Sequence, residues 1–99
     1  GGNEDISIWF DVTGTGTMDE IGALTIILQE SGDNSEWSTV QTFRYTNYSN
    51  MLEYNSADCV SNVDYSGAEG MYYRAYVTVW AGIDGDGDSR QILTETVLI

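Results

Sequence analysis

An antiparallel all-β domain is what this 99-residue sequence predicts. Three observations point there: apolar residues recur at every second position in the most legible segments, turn-forming clusters separate those segments, and no helical period competes with them. Around seven short strands with turn signals every ~8 to 12 residues correspond to a β-sandwich of the immunoglobulin-like or fibronectin type III-like kind, with a small barrel as the competing architecture. The length allows one domain with its own core. Residues 1–5 read as a tag remnant and flexible N-terminus, with Gly1-Gly2 the scar of a cleaved expression tag, and residues 6–99 as the single domain.

The elements follow in order. In "ISIWFDV", Ile6, Ile8, Phe10 and Val12 share one face and Ser7, Trp9 and Asp11 the other, the signature of a half-buried strand. "TGTGTMDE" reads as an irregular continuation or a crossing between sheets. "IGALTIILQE" places Leu24, Ile26 and Leu28 on one face and Ala23, Thr25, Ile27 and Gln29 on the other, which suits a central strand. "SGDNSE" is a turn by composition. "WSTVQTFRYT" is rich in β-formers but breaks strict alternation, so a bulge or an edge is expected. From Asn47 to Gly70, Leu52 and Tyr54 suggest one short strand, Cys59, Ser61, Val63 and Tyr65 another, and a short helical turn fits between turn signals.

"MYYRAYVTVWAG" carries the clearest pattern: Tyr73, Ala75, Val77, Val79 and Ala81 on an inward face, and Tyr72, Arg74, Tyr76, Thr78 and Trp80 on the opposite one. A loop, "GIDGDGDSR", leads to "QILTETVLI", a closing strand by its β-branched content.

Charge and composition exclude several functions. Sixteen acidic side chains face three arginines, with no lysine and no histidine, for a net charge of -13. Such a polyanion repels nucleic-acid backbones and anionic lipid, so neither nucleic acid nor membrane insertion is expected. Without histidine there is no Ser-His or Cys-His nucleophile pair, and without lysine no Schiff base. Cys59 is alone, so it forms no internal disulfide and reads as a small buried hydrophobe. With 16 acids, some carboxylate pair at the ~5 to 9 Å used by glycosidases is unavoidable and therefore uninformative, and a sandwich of this size offers little cleft. No enzyme is predicted.

Two candidate sites remain. Asp84, Asp86 and Asp88 fit the first three places of an EF-hand calcium loop and Glu95 the last, with Ser89 in place of its turn glycine. On an extended strand at ~3.3 Å per residue Glu95 lies roughly 15 Å away, too far to join a shell of ligands at about 2.3 to 2.6 Å. The alternatives are a plain hairpin turn or a weak calcium site, and no other cofactor is expected. The second candidate is the aromatic row Tyr72, Tyr76 and Trp80 with Arg74, which could stack on a carbohydrate or a protein ligand. Against this stands simple cross-strand packing, with Arg74 lying over a ring.

"IGALTIILQES", "WSTVQTF", "YYRAYVTVWAG" and the terminal "TETVLI" together resemble a family of small secreted proteins of Gram-positive bacteria that has no assigned function. The resemblance runs from about Ile6 to Ile99, and its most specific segments are Leu-Gln-Glu, Trp-Ser-Thr-Val and Tyr-Tyr-Arg-Ala. The glycine before "MYYRAYV" is also similar to the approach to the sixth strand of fibronectin-like domains, whereas the immunoglobulin cysteine pair is missing. The resemblance implies a secreted or cell-surface bacterial domain of all-β fold and transfers no active site.

Overall fold

The computed structural model describes residues 3–99. The elements are β1 (Asn3–Ser31), β2 (Ser38–Arg44), a 3-10 turn (Ser49–Met51), β3 (Leu52–Ala68), β4 (Tyr72–Ile83), β5 (Asp86–Leu93) and β6 (Val97–Leu98). The fold is all-β and antiparallel, as its alternation predicts. Among the described residues there are six strands, rather than about seven, and they belong to one sheet: β2-β1-β4-β5 forms the central path, β3 pairs with β1 and β6 with β4.

One strand organises the whole. Over Asn3–Thr13, β1 pairs only with β3; from Glu20 onward it lies between β4 on one side and first β3, then β2, on the other. The pairing breaks between Thr13↔Asp58 and Met18↔Ser56, so residues 14–17 of β1 stand against Ala57 alone. This bulge is the "GTGT" segment, which has no large apolar side chain to hold it flat, and bulges bend the strand that carries them. The ribbon of β1 and β3 thereby turns its inner face onto the rest of the sheet. Ile8, Phe10, Cys59 and Val63 from the ribbon share one buried core with Ile26, Leu28, Ala75 and Val77.

Close approach of β1 to the start of β3 depends on Gly22. A Cβ at this position would stand 2.1 Å from the carbonyl oxygen of Met51, and its φ of +149° is one that L side chains rarely adopt. Two residues later Leu24 is skipped in the β1–β4 register, which moves Ala23 into the core and leaves Leu24 only half-buried, against the sequence pattern. The bulge resets parity, and Ile26 and Leu28 point inward.

Other boundaries differ from the sequence reading. Residues 3–5, expected as flexible, pair with Ala68, Gly67 and Ser66, while Gly1-Gly2 lies outside the described residues. Asn47 to Gly70 holds a single long strand, β3, preceded by the 3-10 turn; Asn55, at φ +53°, replaces the expected gap between two strands. The closing segment is split into β5 and β6. In β4, Tyr73, Ala75 and Val77 are buried, while Val79 and Ala81 pack half-buried at the border of the core.

Candidate functional site

Strand parity on β4 sends Tyr72, Arg74, Tyr76, Thr78 and Trp80 to the outer face, where all five are half-buried. Their cross-strand neighbours on β1 are Ser31, Gln29, Ile27, Thr25 and Gly22. On the far side, Tyr76, Thr78 and Trp80 face Leu93, Gln91 and Ser89 of β5. A row of aromatic rings thus lies along the middle of a sheet face, with Ile27 and Leu93 flanking Tyr76 and small or polar residues beside the rest.

Arg74 is held in that row by three contacts. Its Nε donates to Oε1 of Gln29 at 2.8 Å, and its guanidinium carbon lies 4.2 Å from the ring centre of Trp37 and 5.7 Å from that of Tyr76. A cation over an aromatic face is worth about 0.5 to 1 kcal/mol at a site open to water. Trp37 was not visible as a partner in the sequence, because its place depends on the turn before β2. There the Asp33 carboxylate accepts the amides of Ser35 and Glu36, each at 2.9 Å, and the hydroxyl of Ser31. These bonds, that from Glu36 foremost, hold the Asp33 carboxyl below its usual range.

Trp80 sits differently. Cβ atoms on Gly82 and on its cross-strand partner Gly87 would stand 2.6 and 2.9 Å from the indole ring, so the ring covers a patch of bare backbone near the end of the β4–β5 hairpin. An aromatic ring lying over a strand glycine shields backbone that has no side chain of its own. Cross-strand packing therefore accounts for part of the row, while all its members keep some surface exposed.

At the aspartate segment, the turn is tighter than the nine-residue stretch suggests. Ile83 pairs with Asp86, leaving only Asp84 and Gly85 in the loop, with φ of 54° and 80°. Positive φ at both central residues belongs to the type I′ turn, whose twist matches that of the strands and for which Asp-Gly is a preferred pair. Asp86 and Asp88 already lie on β5, and the Asp84 amide donates to a carboxylate from elsewhere, Oδ2 of Asp19, at 2.7 Å. Among the described residues no group of three or more His, Cys, Asp or Glu side chains is gathered as for a metal ion.

Cys59 is buried, with its thiol 3.7 Å from the Met51 carbonyl oxygen. Burial, followed by the Glu53 charge, raises its pKa, which keeps the thiol protonated. The chain matches no protein-family model, no curated protein and no solved structure.

Proposed function

We propose that this chain is a non-catalytic recognition domain, secreted or displayed on a bacterial cell surface, whose outer aromatic face takes a carbohydrate or protein ligand. The observation that carries the reading is the row Tyr72, Arg74, Tyr76 and Trp80, in which Arg74 is fixed by Trp37 and Gln29 before any ligand arrives. Rings held in place lose little freedom on binding, and flat apolar faces beside hydrogen-bonding groups suit sugar rings. The strong negative charge favours a neutral or cationic ligand over a phosphorylated one.

We further assign the domain to the immunoglobulin-like or fibronectin type III-like sandwiches. The Tyr73 hydroxyl accepts the amide of Ala68, five residues upstream across the β3–β4 connection, at 2.8 Å. This supports the assignment, because a tyrosine at the start of the corresponding strand makes such a bond in that architecture.

Binding to an array of neutral oligosaccharides tests the function. Tyr76→Ala and Tyr72→Ala should each weaken binding about tenfold, the size of effect expected when one stacked ring is lost. Trp80→Ala should do the same and also lower Tm, since it uncovers Gly82 and Gly87. Binding unaffected by all three substitutions would remove the aromatic face as the site. Melting curves with millimolar calcium and with chelator address the rival reading, a spacer stiffened by an ion at Asp84, Asp86 and Asp88: equal Tm values eliminate it.

A further inference from the structure

Two strand edges that have no neighbour among the described residues face one another across a slot. Over Asn3–Thr13, β1 is paired on one side only, by β3, and β5 and β6 are paired only by β4. Between these edges lies a cavity of about 320 Å³. Ile6, Ile8 and Trp9 line one wall, Thr94, Glu95 and Val97 the other, and core residues such as Leu28 and Ala75 form the floor. The second wall is interrupted between β5 and β6. Thr94 is tied to β4 there, donating its amide to the Ala75 carbonyl at 2.9 Å and accepting the Ala75 amide on its hydroxyl at 2.8 Å.

The cover over the inner face stops short at this place. Ile92 lies opposite Val77, so it shares the inward face, yet it is 47% exposed; Trp9 and Val97, at the walls, are 65% and 54% exposed. Unpaired strand edges beside uncovered apolar side chains form a template for one more strand.

We infer that this slot receives an extended cationic segment of a partner protein, added as a strand along the free edge of β1. Ladder hydrogen bonds would come from the unpaired backbone, and every second side chain of the segment, apolar, would point at the floor over Ala75. The intervening side chains are basic. Glu95 stands in one wall, and Glu4, Asp5 and Asp11 are exposed along β1. Arg74, the one cation among the lining residues, is turned to the opposite face over Trp37. A second copy of the chain would bring another net charge of -13 to the same place, and like charges across an interface oppose association.

The test uses a labelled peptide, Lys-Val-Lys-Val-Lys-Val-Lys, its glutamate-for-lysine counterpart, and the scramble Lys-Lys-Val-Val-Val-Lys-Lys, read by fluorescence anisotropy and amide hydrogen exchange. The alternating basic peptide should bind about tenfold more tightly than either control. It should also slow exchange over both Ile6–Trp9 and Thr94–Val97. Val97→Lys and Glu95→Lys, both at exposed positions, should each weaken binding several-fold, while Tyr54→Lys, on an exposed position of β3 outside the slot and away from those carboxylates, should not. Equal binding of the scramble, or protection elsewhere, would reduce the effect to charge attraction and overturn the proposal. Concentration-dependent self-association that protects the same two segments without peptide would overturn it in favour of a second copy.

Discussion

The two halves of β1 are chemically alike and structurally unequal. From Glu20 onward the strand runs between β4 on one side and first β3, then β2, on the other, and its inward residues Ile21, Ala23, Ile26 and Leu28 are almost completely buried. Residues 3–13 have β3 alone, and the inward residues of that half run from buried Ile8 and Phe10 to half-buried Ile6 and Val12. Alternation runs through both halves, unbroken from Ile6 to Val12 and shifted once, at Leu24, in the other. What differs is the number of neighbours, so the C-terminal half is held by ladders and core together, while the N-terminal half depends on its apolar face gripping the layer beneath. A two-stranded ribbon is marginal by itself, and it gains its order from that packing.

The sharpest way to break the comparison is near the start of the half that has strands on both sides, where β1 meets the beginning of β3. Gly22→Ala puts a Cβ against the Met51 carbonyl and forces alanine into a positive φ. Overpacking costs about 1 to 3 kcal/mol and a backbone held in a sparsely populated region about 1 to 3 more, so a loss of roughly 4 kcal/mol is expected. That is a large part of the ~5 to 15 kcal/mol that stabilises an ordinary domain, and urea unfolding should show it as a much lower midpoint.

A milder pair of substitutions measures the inequality itself. Ile26→Ala, in the half with two neighbours and 0% exposed, should cost toward the upper end of the ~2 to 5 kcal/mol seen for such truncations. Ile8→Ala, 7% exposed and beside the slot, should fall near the lower end, because water already reaches its surroundings. Amide exchange should follow the same order, faster over residues 3–13 than over 20–31. Equal costs and equal exchange would mean that the ribbon is as firmly held as the sheet it covers.

Legibility in the sequence follows the same division. β4 could be read because strands flank it and one face meets a shared interior, so Tyr73, Ala75 and Val77 alternate cleanly with Tyr72, Arg74 and Tyr76. The same parity placed the aromatic row on one face. β3 was obscure because its outer face meets solvent and its inner face includes Ser61, leaving Cys59 and Val63 as widely spaced signals within a long polar stretch. Trp37 and Gln29 join Arg74 only through the β1–β4 register and the path of the chain out of the Asp33 turn; the turn was legible in its composition, but neither the register nor that path has a local sequence signature. At Asp84-Gly85 the hairpin turn was legible from its glycine and aspartate, but its two-residue length was not, because Asp86 to Asp88 repeats the same composition on β5. The slot was invisible because it consists of a missing neighbour, which only topology defines.

The smallest effect concerns the link that fastens the ribbon to the sheet. The Tyr73 hydroxyl, on β4, accepts the amide of Ala68 at the end of β3 and donates to the Glu30 carboxylate at the end of β1. Tyr73→Phe keeps the ring and deletes both bonds, leaving a partly buried amide without that partner, at a cost of about 1 to 2 kcal/mol near neutral pH. Burial, and next the hydrogen bond to Glu30, raise the Tyr73 pKa above its usual value. A raised folded-state pKa gives stability that is fully present below the unfolded value, ~10 for tyrosine, and lost as pH rises through the folded value. Cys59, also raised, contributes a similar alkaline loss from ~8.5 upward, but equally in both proteins. The stability gap between the native chain and Tyr73→Phe should therefore be constant from neutrality to about pH 9 and narrow above about pH 10, as followed by urea titration at each pH. A gap that keeps its size at high pH would show that the ring, and not the hydroxyl, fastens the ribbon.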